Sequence, residues 1–401
     1  MTGAAWAGKL SAMLLGVPRE ITPGERRVAL VPETVEKLVR SGVGVSIQAG
    51  AGAASFLADH AYEAAGATIS TDARSLYERS DVIVKINRPL EPATGSRDGV
   101  NEVELLKRGA LLIAVLQPFA NPELVQRLAE RGITCISMDA IPRIARAQAL
   151  DVLSSMSTVT GYSAVLLAAS SLPRFFPLLM TAAGTITPAR VFVIGAGVAG
   201  LQAIATSRRL GAVVEAFDTR PAVREQVQSL GATFVEAALG AQDTEDQRGY
   251  AKELSEDAHR RELELIGGRV RDADVVITTA LIPGQRAPTL ITTDMVRAMK
   301  PGSVIVDLAA EFGGNCELSR PGESVSEHGV TIHAPLHFSS TLPVHASQMY
   351  SRNIAALLAL IIKEGALHLD FDDQIIRDAC VAHDGKVVHE GVRARLAAVA
   401  S

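Results

Sequence analysis

Residues 191–200, VFVIGAGVAG, constrain this chain more than any other stretch. A short apolar run with strand character leads into Gly195, Gly197 and Gly200, and a helical pattern follows. In such a pattern the first glycine makes the tight turn. The second lets the backbone approach a pyrophosphate, and the third lets the helix pack closely on the strand. Amides at the helix N-terminus, at Val198 and Ala199, would face the phosphates. Glycine spacing alone is weak evidence, because an unrelated α/β protein can join strand to helix the same way. Here a second apolar strand pattern ends in Asp218, roughly 20 residues beyond the glycines, where an acid can meet the adenine ribose. The pattern predicts a dinucleotide pocket in an α/β fold.

Asp218 is the expected selector. Its carboxylate can accept hydrogen bonds from both ribose hydroxyls of NAD, and it would repel the 2′-phosphate of NADP. Arg220 is the counter-argument, because a guanidinium there could pair with that phosphate. The acid at the strand end favours NAD(H). A solvated strand end is the plain alternative.

The chain has 401 residues and a formal charge of -5. That is too long for one average domain. No basic patch suggests nucleic acid. Cys135, Cys316 and Cys380 are scattered without metal spacing, which fits a reducing compartment. His333, His337 and His345 lie across a proline-containing loop, a poor ligand pattern, so no metal site is expected. No segment reads as a membrane span. Pro173, Arg174 and Pro177 interrupt 164–183, and the apolar stretch within 353–362 is too short. Residues 1–15 read as a frayed extension rather than a signal peptide. The expected location is cytoplasmic, or the cytoplasmic face of a membrane if a partner supplies the anchor.

Strand patterns at 14–17, 43–48, 81–85, 110–116 and 134–137 alternate with helical patterns at 32–41, 60–65 and 122–131. This repetition predicts a parallel sheet covered by helices. A connecting helix at 154–169 leads to further strands at 191–194, 213–218, 233–235, 275–279, 304–308 and 330–333. The polar stretch 240–249, GAQDTEDQRG, has no apolar period and reads as an exposed mobile loop. An apolar helix over 348–362 is expected to cross back to the first domain. The division is therefore discontinuous, about 12–150 with 346–401, and about 155–343. The expected architecture is two Rossmann-like α/β domains with parallel sheets, separated by a cleft.

Polar groups gather in PRIARAQALDVLSS, residues 142–155, between the two domains. Arg143 and Asp151 could be held as a bidentate pair and, with Gln148, orient a planar amide. An interdomain salt bridge with a helix cap reads equally well. Lys85, Arg19, Glu20 and Arg27 stand at strand ends, the ligand side of an α/β sheet. A small anion could bind there, or the charges could simply cap the strands. Asp307 could face the cofactor or organise neighbouring loops.

Several stretches together carry a specific resemblance. They are PRE.TPGERRVAL.PE, PRIARAQALDVLSS, TAAGTITPARVFVIGAGVAGLQAIATSRRLGA, EQVQSLGA, GYAKE, TTALIPG, MKPGSVIVDLA and GGNCELS. Across about 13–398 the chain resembles the superfamily of alanine dehydrogenases and proton-translocating nicotinamide nucleotide transhydrogenases. Alanine dehydrogenases are expected to keep a catalytic histidine after the strand that reads LLIAVLQPF here, and this chain has Gln117 there. Their aspartate before paired glycines is matched by Glu311. Lys85 resembles their substrate lysine, but without the histidine it cannot run the acid–base step of amino-acid oxidation.

The resemblance therefore implies the NAD(H)-binding component of a transhydrogenase. It implies that Gln148 lies near the nicotinamide, with Arg143 and Asp151 holding the carboxamide and the loop, and Ser154 beside them. Tyr250 would close over the nucleotide. Gly195, Gly197, Val198, Ala199, Gly200, Asp218, Thr219, Arg220, Thr279, Ala280 and Leu281 are assigned to the cofactor. Hydride would pass directly from NADH here to NADP⁺ on a partner. The partners implied are a membrane subunit, formed by the second portion of alpha, and a beta subunit carrying the NADP(H) domain, with this chain a homodimer. Two other readings remain: an amino-acid dehydrogenase, and an NAD-sensing binding protein.

Overall fold

The computed structural model describes residues 13–92, 99–236, 256–281 and 286–400. The chain divides into two compact units, Met1–Met156 with Leu342–Ser401, and Ser157–Thr341.

The first stretch of unit 1 supplies β1 (Leu14–Val17), β2 (Gly44–Gln48), β3 (Thr68–Ser70), β4 (Val82–Asn87), β5 (Leu111–Val115) and β6 (Thr134–Ser137). They pair in parallel in the spatial order β3-β2-β1-β4-β5-β6. That is the doubly wound order, whose ligand crevice lies at the C-terminal ends where it reverses, between β1 and β4. Helices open where a proline at the first turn needs no amide partner, as in Pro32–Arg40 and Pro122–Glu130. Asp72 starts Ala73–Arg79 by accepting from the Ser75 amide at 2.7 Å.

Unit 2 opens with a hairpin, β7 (Leu179–Thr181) and β8 (Gly184–Ile186). Its main sheet comprises β9 (Arg190–Ile194), β10 (Val213–Phe217), β11 (Thr233–Val235), β12 (Val275–Thr278), β13 (Val304–Asp307), β14 (Ser324–Glu327) and β15 (Val330–His333). The order is β11-β10-β9-β12-β13-β15-β14, parallel except for β14. It reverses between β9 and β12. The chain then re-enters unit 1 through helix Pro343–Ile361, the small hairpin β16 (Ile362–Lys363) and β17 (Ala366–Leu367), and the strands β18 (Cys380–His383) and β19 (Lys386–Val387). β18 adds antiparallel to β6, and β19 to β18.

Both sheets are buried on both faces, so their strands are apolar almost throughout. Alternate residues enter opposite cores: Val191 and Val193 pack with Ala164, Val165 and Ala168, while Phe192 and Ile194 pack with Ile266 and Val270. In unit 1, Leu15, Val45 and Val84 pack with Ile354, Leu357 and Ile361 of the returning helix. The mostly parallel α/β architecture agrees with the sequence expectation. The sequence patterns do not reveal β3, β14, the two small hairpins or helix Ala73–Arg79. These are short or edge elements, whose pairing partners rather than their own patterns define them.

Helix Val152–Ser171 is long and apolar enough to cross a membrane by length and composition. The sequence pattern puts the nearest candidate further on, at 164–183. The helix stops before Pro173, and its residues belong to protein cores: Val152 to that of unit 1, and Ala164, Val165 and Ala168 to that of unit 2.

Candidate functional site

The glycines of the fingerprint have separable roles in unit 2. Gly195 sits at φ +94, and a Cβ there would lie 2.6 Å from Thr279 Oγ1. A Cβ on Gly200 would lie 1.9 Å from the Gly195 carbonyl oxygen, so only glycine lets the helix Val198–Arg209 start this close to β9. Around Gly197 nothing stands within 4 Å of the same position. Open space at the second glycine and tight packing at the other two is what a pyrophosphate-binding turn requires. The first amides of the helix have no intrahelical acceptors and carry its positive end. Val198 is exposed beside them.

At the end of β10 the Asp218 carboxylate is nearly buried and fully engaged. Oδ2 accepts from the Ala196 amide at 2.7 Å and from Arg220 Nη2 at 2.8 Å. Oδ1 accepts from the Arg220 amide and Nε, each at 2.9 Å. The acid therefore braces the glycine turn through Ala196 and holds Arg220. Thr219 Oγ1 is buried with no hydrogen-bond partner among the described residues. An orphaned hydroxyl beside a carboxylate and an open glycine fits a polar ligand such as the nucleotide.

Across the switch point, Thr279 Oγ1 donates to the Gly195 carbonyl at 3.0 Å. Asn315 fixes the next residue: its Oδ1 accepts from the Ala280 amide at 3.1 Å and its Nδ2 donates to the Ala280 carbonyl at 3.0 Å. Leu281 follows, exposed. Asn315 is a positioning residue that sequence reasoning misses, although it lies in the quoted stretch GGNCELS. Asp307 is fully buried and accepts from Thr278 Oγ1, Ser319 Oγ and the amides of Ala309, Asn315 and Cys316. Of its two sequence readings, the organiser of loops is the one the structure bears out.

In unit 1, Gln148 lies exposed on the 3₁₀ turn Ala145–Leu150, and Arg143 is exposed just before it. Asp151 does not form the bidentate pair considered for it. Its Oδ1 accepts from the Ser154 amide at 2.8 Å and its Oδ2 from Ser154 Oγ at 2.6 Å, which caps helix Val152–Ser171. A carboxylate at a helix start gains most from the free amides of the first turn. The bidentate pair of this stretch joins Arg146 to Asp373, at 2.7 and 2.6 Å. Asn353 Nδ2 donates to the Ala149 carbonyl at 2.8 Å, so the returning helix holds the turn that carries Gln148. Tyr250 and the stretch 240–249 lie outside the described residues.

The switch point of unit 1 holds a buried charge cluster. Lys85 Nζ, 1% exposed, donates to Glu102 Oε1 and lies 3.8 Å from Glu20. Tyr77 donates to the same Glu102 oxygen at 2.7 Å, and the Leu90 amide donates to Oε2 at 2.8 Å. Glu25 pairs with Arg27 and accepts from Asn87 Nδ2 at 2.9 Å. Burial pushes the Glu20 carboxyl up to about 7, with Glu102 and Glu25 adding to the rise and Lys85 opposing it. Burial would lower the Lys85 ammonium, but Glu102 and Glu20 outweigh it and hold it above its ordinary value. Gln117, at φ 49, accepts from Arg88 Nη1 at 3.3 Å.

Family models match nearly the whole chain: "Alanine dehydrogenase/PNT, N-terminal domain" over residues 16–160 and "Alanine dehydrogenase/PNT, C-terminal domain" over 164–390. The chain belongs to the alanine dehydrogenase/PNT family. It is 45% identical over 380 residues to the first portion of NAD(P) transhydrogenase subunit alpha, a separate chain in Rhodospirillum rubrum, covering 94% of this chain and 98% of that one. A solved structure of transhydrogenase from Sinorhizobium meliloti superposes with a TM-score of 0.80 at 39% identity, over 94% of this chain and 99% of that one. An L-alanine dehydrogenase structure superposes at 0.78 with 26% identity, over 96% of this chain and 100% of that one.

The fold is common to both branches of the alanine dehydrogenase/PNT family, so side chains must separate them. Gln117 has no titratable group where amino-acid oxidation needs an imidazole. Lys85 already spends its charge on Glu102 and Glu20. Neither residue supports alanine dehydrogenase chemistry.

Proposed function

We propose that this chain is the NAD(H)-binding subunit of a proton-translocating NAD(P) transhydrogenase. The carrying observation is the Gly195–Gly200 turn braced by Asp218, in a chain whose Gln117 and sequestered Lys85 leave amino-acid dehydrogenation without its acid–base pair. Likeness to the transhydrogenase relatives supports the reading. Bound NADH supplies the hydride, which passes to NADP⁺ held by a partner component. The chain's own residues bind, orient and exclude water, and no general base is required of them. The amides after Gly197 take the pyrophosphate, Asp218 the adenine ribose, and Thr279 and Ala280 the wall beside the turn. Gln148 orients the nicotinamide, Arg143 supports its carboxamide, and Asp151 with Ser154 fixes the turn that carries Gln148. Tyr250 covers the nucleotide.

Membrane attachment comes through partners, a membrane subunit formed by the second portion of alpha and a beta subunit with the NADP(H) domain, so this chain lies peripherally on the cytoplasmic face. The homodimer is supported by an apolar surface at the start of unit 2: Phe175, Leu178 and Met180 are 56, 53 and 81% exposed.

Reconstitution with an NADP-binding component tests the reading. Hydride should pass from NADH to an NADP analogue. Turnover of pyruvate and ammonia by this chain alone, at ordinary enzyme rates, would instead establish an amino-acid dehydrogenase. NADH binding without transfer in the reconstituted system would leave a sensing protein. The Gln148→Asn variant should lose transfer much more than NADH affinity, and equal loss of both would contradict the orienting role.

A further inference from the structure

An ionised carboxylate offers about four acceptor positions. On Asp218 all are taken: by the Ala196 and Arg220 amides, and by Nε and Nη2 of Arg220. The two amide bonds belong to the backbone that shapes the glycine turn and the end of β10. The two guanidinium bonds come from a side chain that can swing. A ribose diol donating both hydroxyls to this acid finds no free acceptor until the guanidinium leaves. The pair is well shielded, with the side chains of Arg220 and Asp218 15 and 5% exposed, so solvent screens it little.

We propose that Arg220 sets the nucleotide selectivity of this pocket, by occupying on Asp218 the acceptor positions that an adenine-ribose diol needs and vacating them when the ribose binds. The arginine then acts in two directions. It competes with the ribose of NAD(H) for the acid and so weakens that complex. It also cancels the charge with which Asp218 would repel a 2′-phosphate, and once displaced it can pair with that phosphate through its fork. Discrimination is thus a property of the pair, and Asp218 alone would discriminate more sharply. A lysine could supply the charge but would not reproduce the two parallel bonds.

The inference rests on the dinucleotide reading, which fails separately if the unaltered protein binds no NADH. Given that binding, calorimetric titration of the full chain with NADH and with NADPH decides. Arg220→Ala should bind NADH roughly 3- to 10-fold more tightly and NADPH about tenfold more weakly. Arg220→Lys should retain NADPH affinity better than Arg220→Ala while also tightening NADH, since it lacks the fork. An Arg220→Ala protein with an unchanged melting temperature that binds NADH no better, or with the NADH-to-NADPH ratio unmoved, overturns the proposal. So does an Arg220→Lys protein indistinguishable from the unaltered chain.

Discussion

Glu20 is a carboxyl that keeps a proton near neutrality because of where it sits. Lys85, Glu102, Glu25, Arg27 and Tyr350 surround it, and burial is the largest cause of its rise to about 7. A folded-state value above the unfolded one means that folding takes up a proton between the two. The contribution is therefore fully present below about 4.5 and is lost as pH rises through about 7. The Glu20→Gln variant stays neutral throughout. Its stability relative to the unaltered chain should rise by on the order of 1–3 kcal/mol between about pH 5 and pH 8, read from melting temperatures at each pH. A difference that does not move with pH would put the proton elsewhere. Lys85 was legible in the sequence as a charge at a strand end. Its partners were not, because Glu20 follows β1 and Glu102 follows a separate loop, and only the parallel pairing of β1 with β4 brings them together. Asp218 was legible because its role depends on local spacing, yet its grip on Arg220 is a matter of side-chain geometry.

At the scale of elements, the dinucleotide turn depends on a helix that does not contain it. Within unit 2, Gly161 of helix Val152–Ser171 meets the fingerprint helix, and a Cβ there would lie 2.1 Å from the Ala199 carbonyl oxygen. Gly161→Ala must push the two helices apart. It should cost about 1–3 kcal/mol of stability and weaken NADH binding by moving Ala199, measured by thermal unfolding and calorimetry. Loss of stability with NADH affinity untouched would show that the turn tolerates the shift. A glycine inside an apolar helical run is a readable sign of close packing, although the run does not say against what. His333 reads from sequence only as a poor metal candidate. It hydrogen-bonds Ser324 Oγ at 2.7 Å and Ser171 Oγ at 2.9 Å, tying β14 and the end of that helix to β15. β14 itself carries too little alternation to be read, since an edge strand is specified by the neighbour it pairs with.

The whole molecule is built from a chain that leaves unit 1 after Met156 and returns to it at Leu342. The returning helix is bound into the first stretch by hydroxyls: Ser347 and Ser351 accept from the Val28 and Val31 amides at 3.0 and 3.1 Å, and Tyr350 donates to the Lys85 carbonyl at 2.7 Å. Assembly is tested on the hairpin of unit 2. Met180→Asp places a charge on its most exposed apolar side chain and should shift a dimer toward monomer in sedimentation velocity, with melting temperature little changed. A variant that sediments like the unaltered chain would remove the hairpin from the contact. The amino-acid sequence by itself determined the doubly wound α/β class, the position of the glycine turn and the acid that follows it. Those features are written in periodicity and spacing over neighbouring residues. Only the tertiary structure decided that Asp151 caps a helix, that Arg146 finds Asp373, that Asn315 grips Ala280 and that Lys85 is sequestered. Each of these depends on groups distant in sequence or on side chains competing for one acceptor, and strand pairing and packing settle such competitions after the local pattern has done its work.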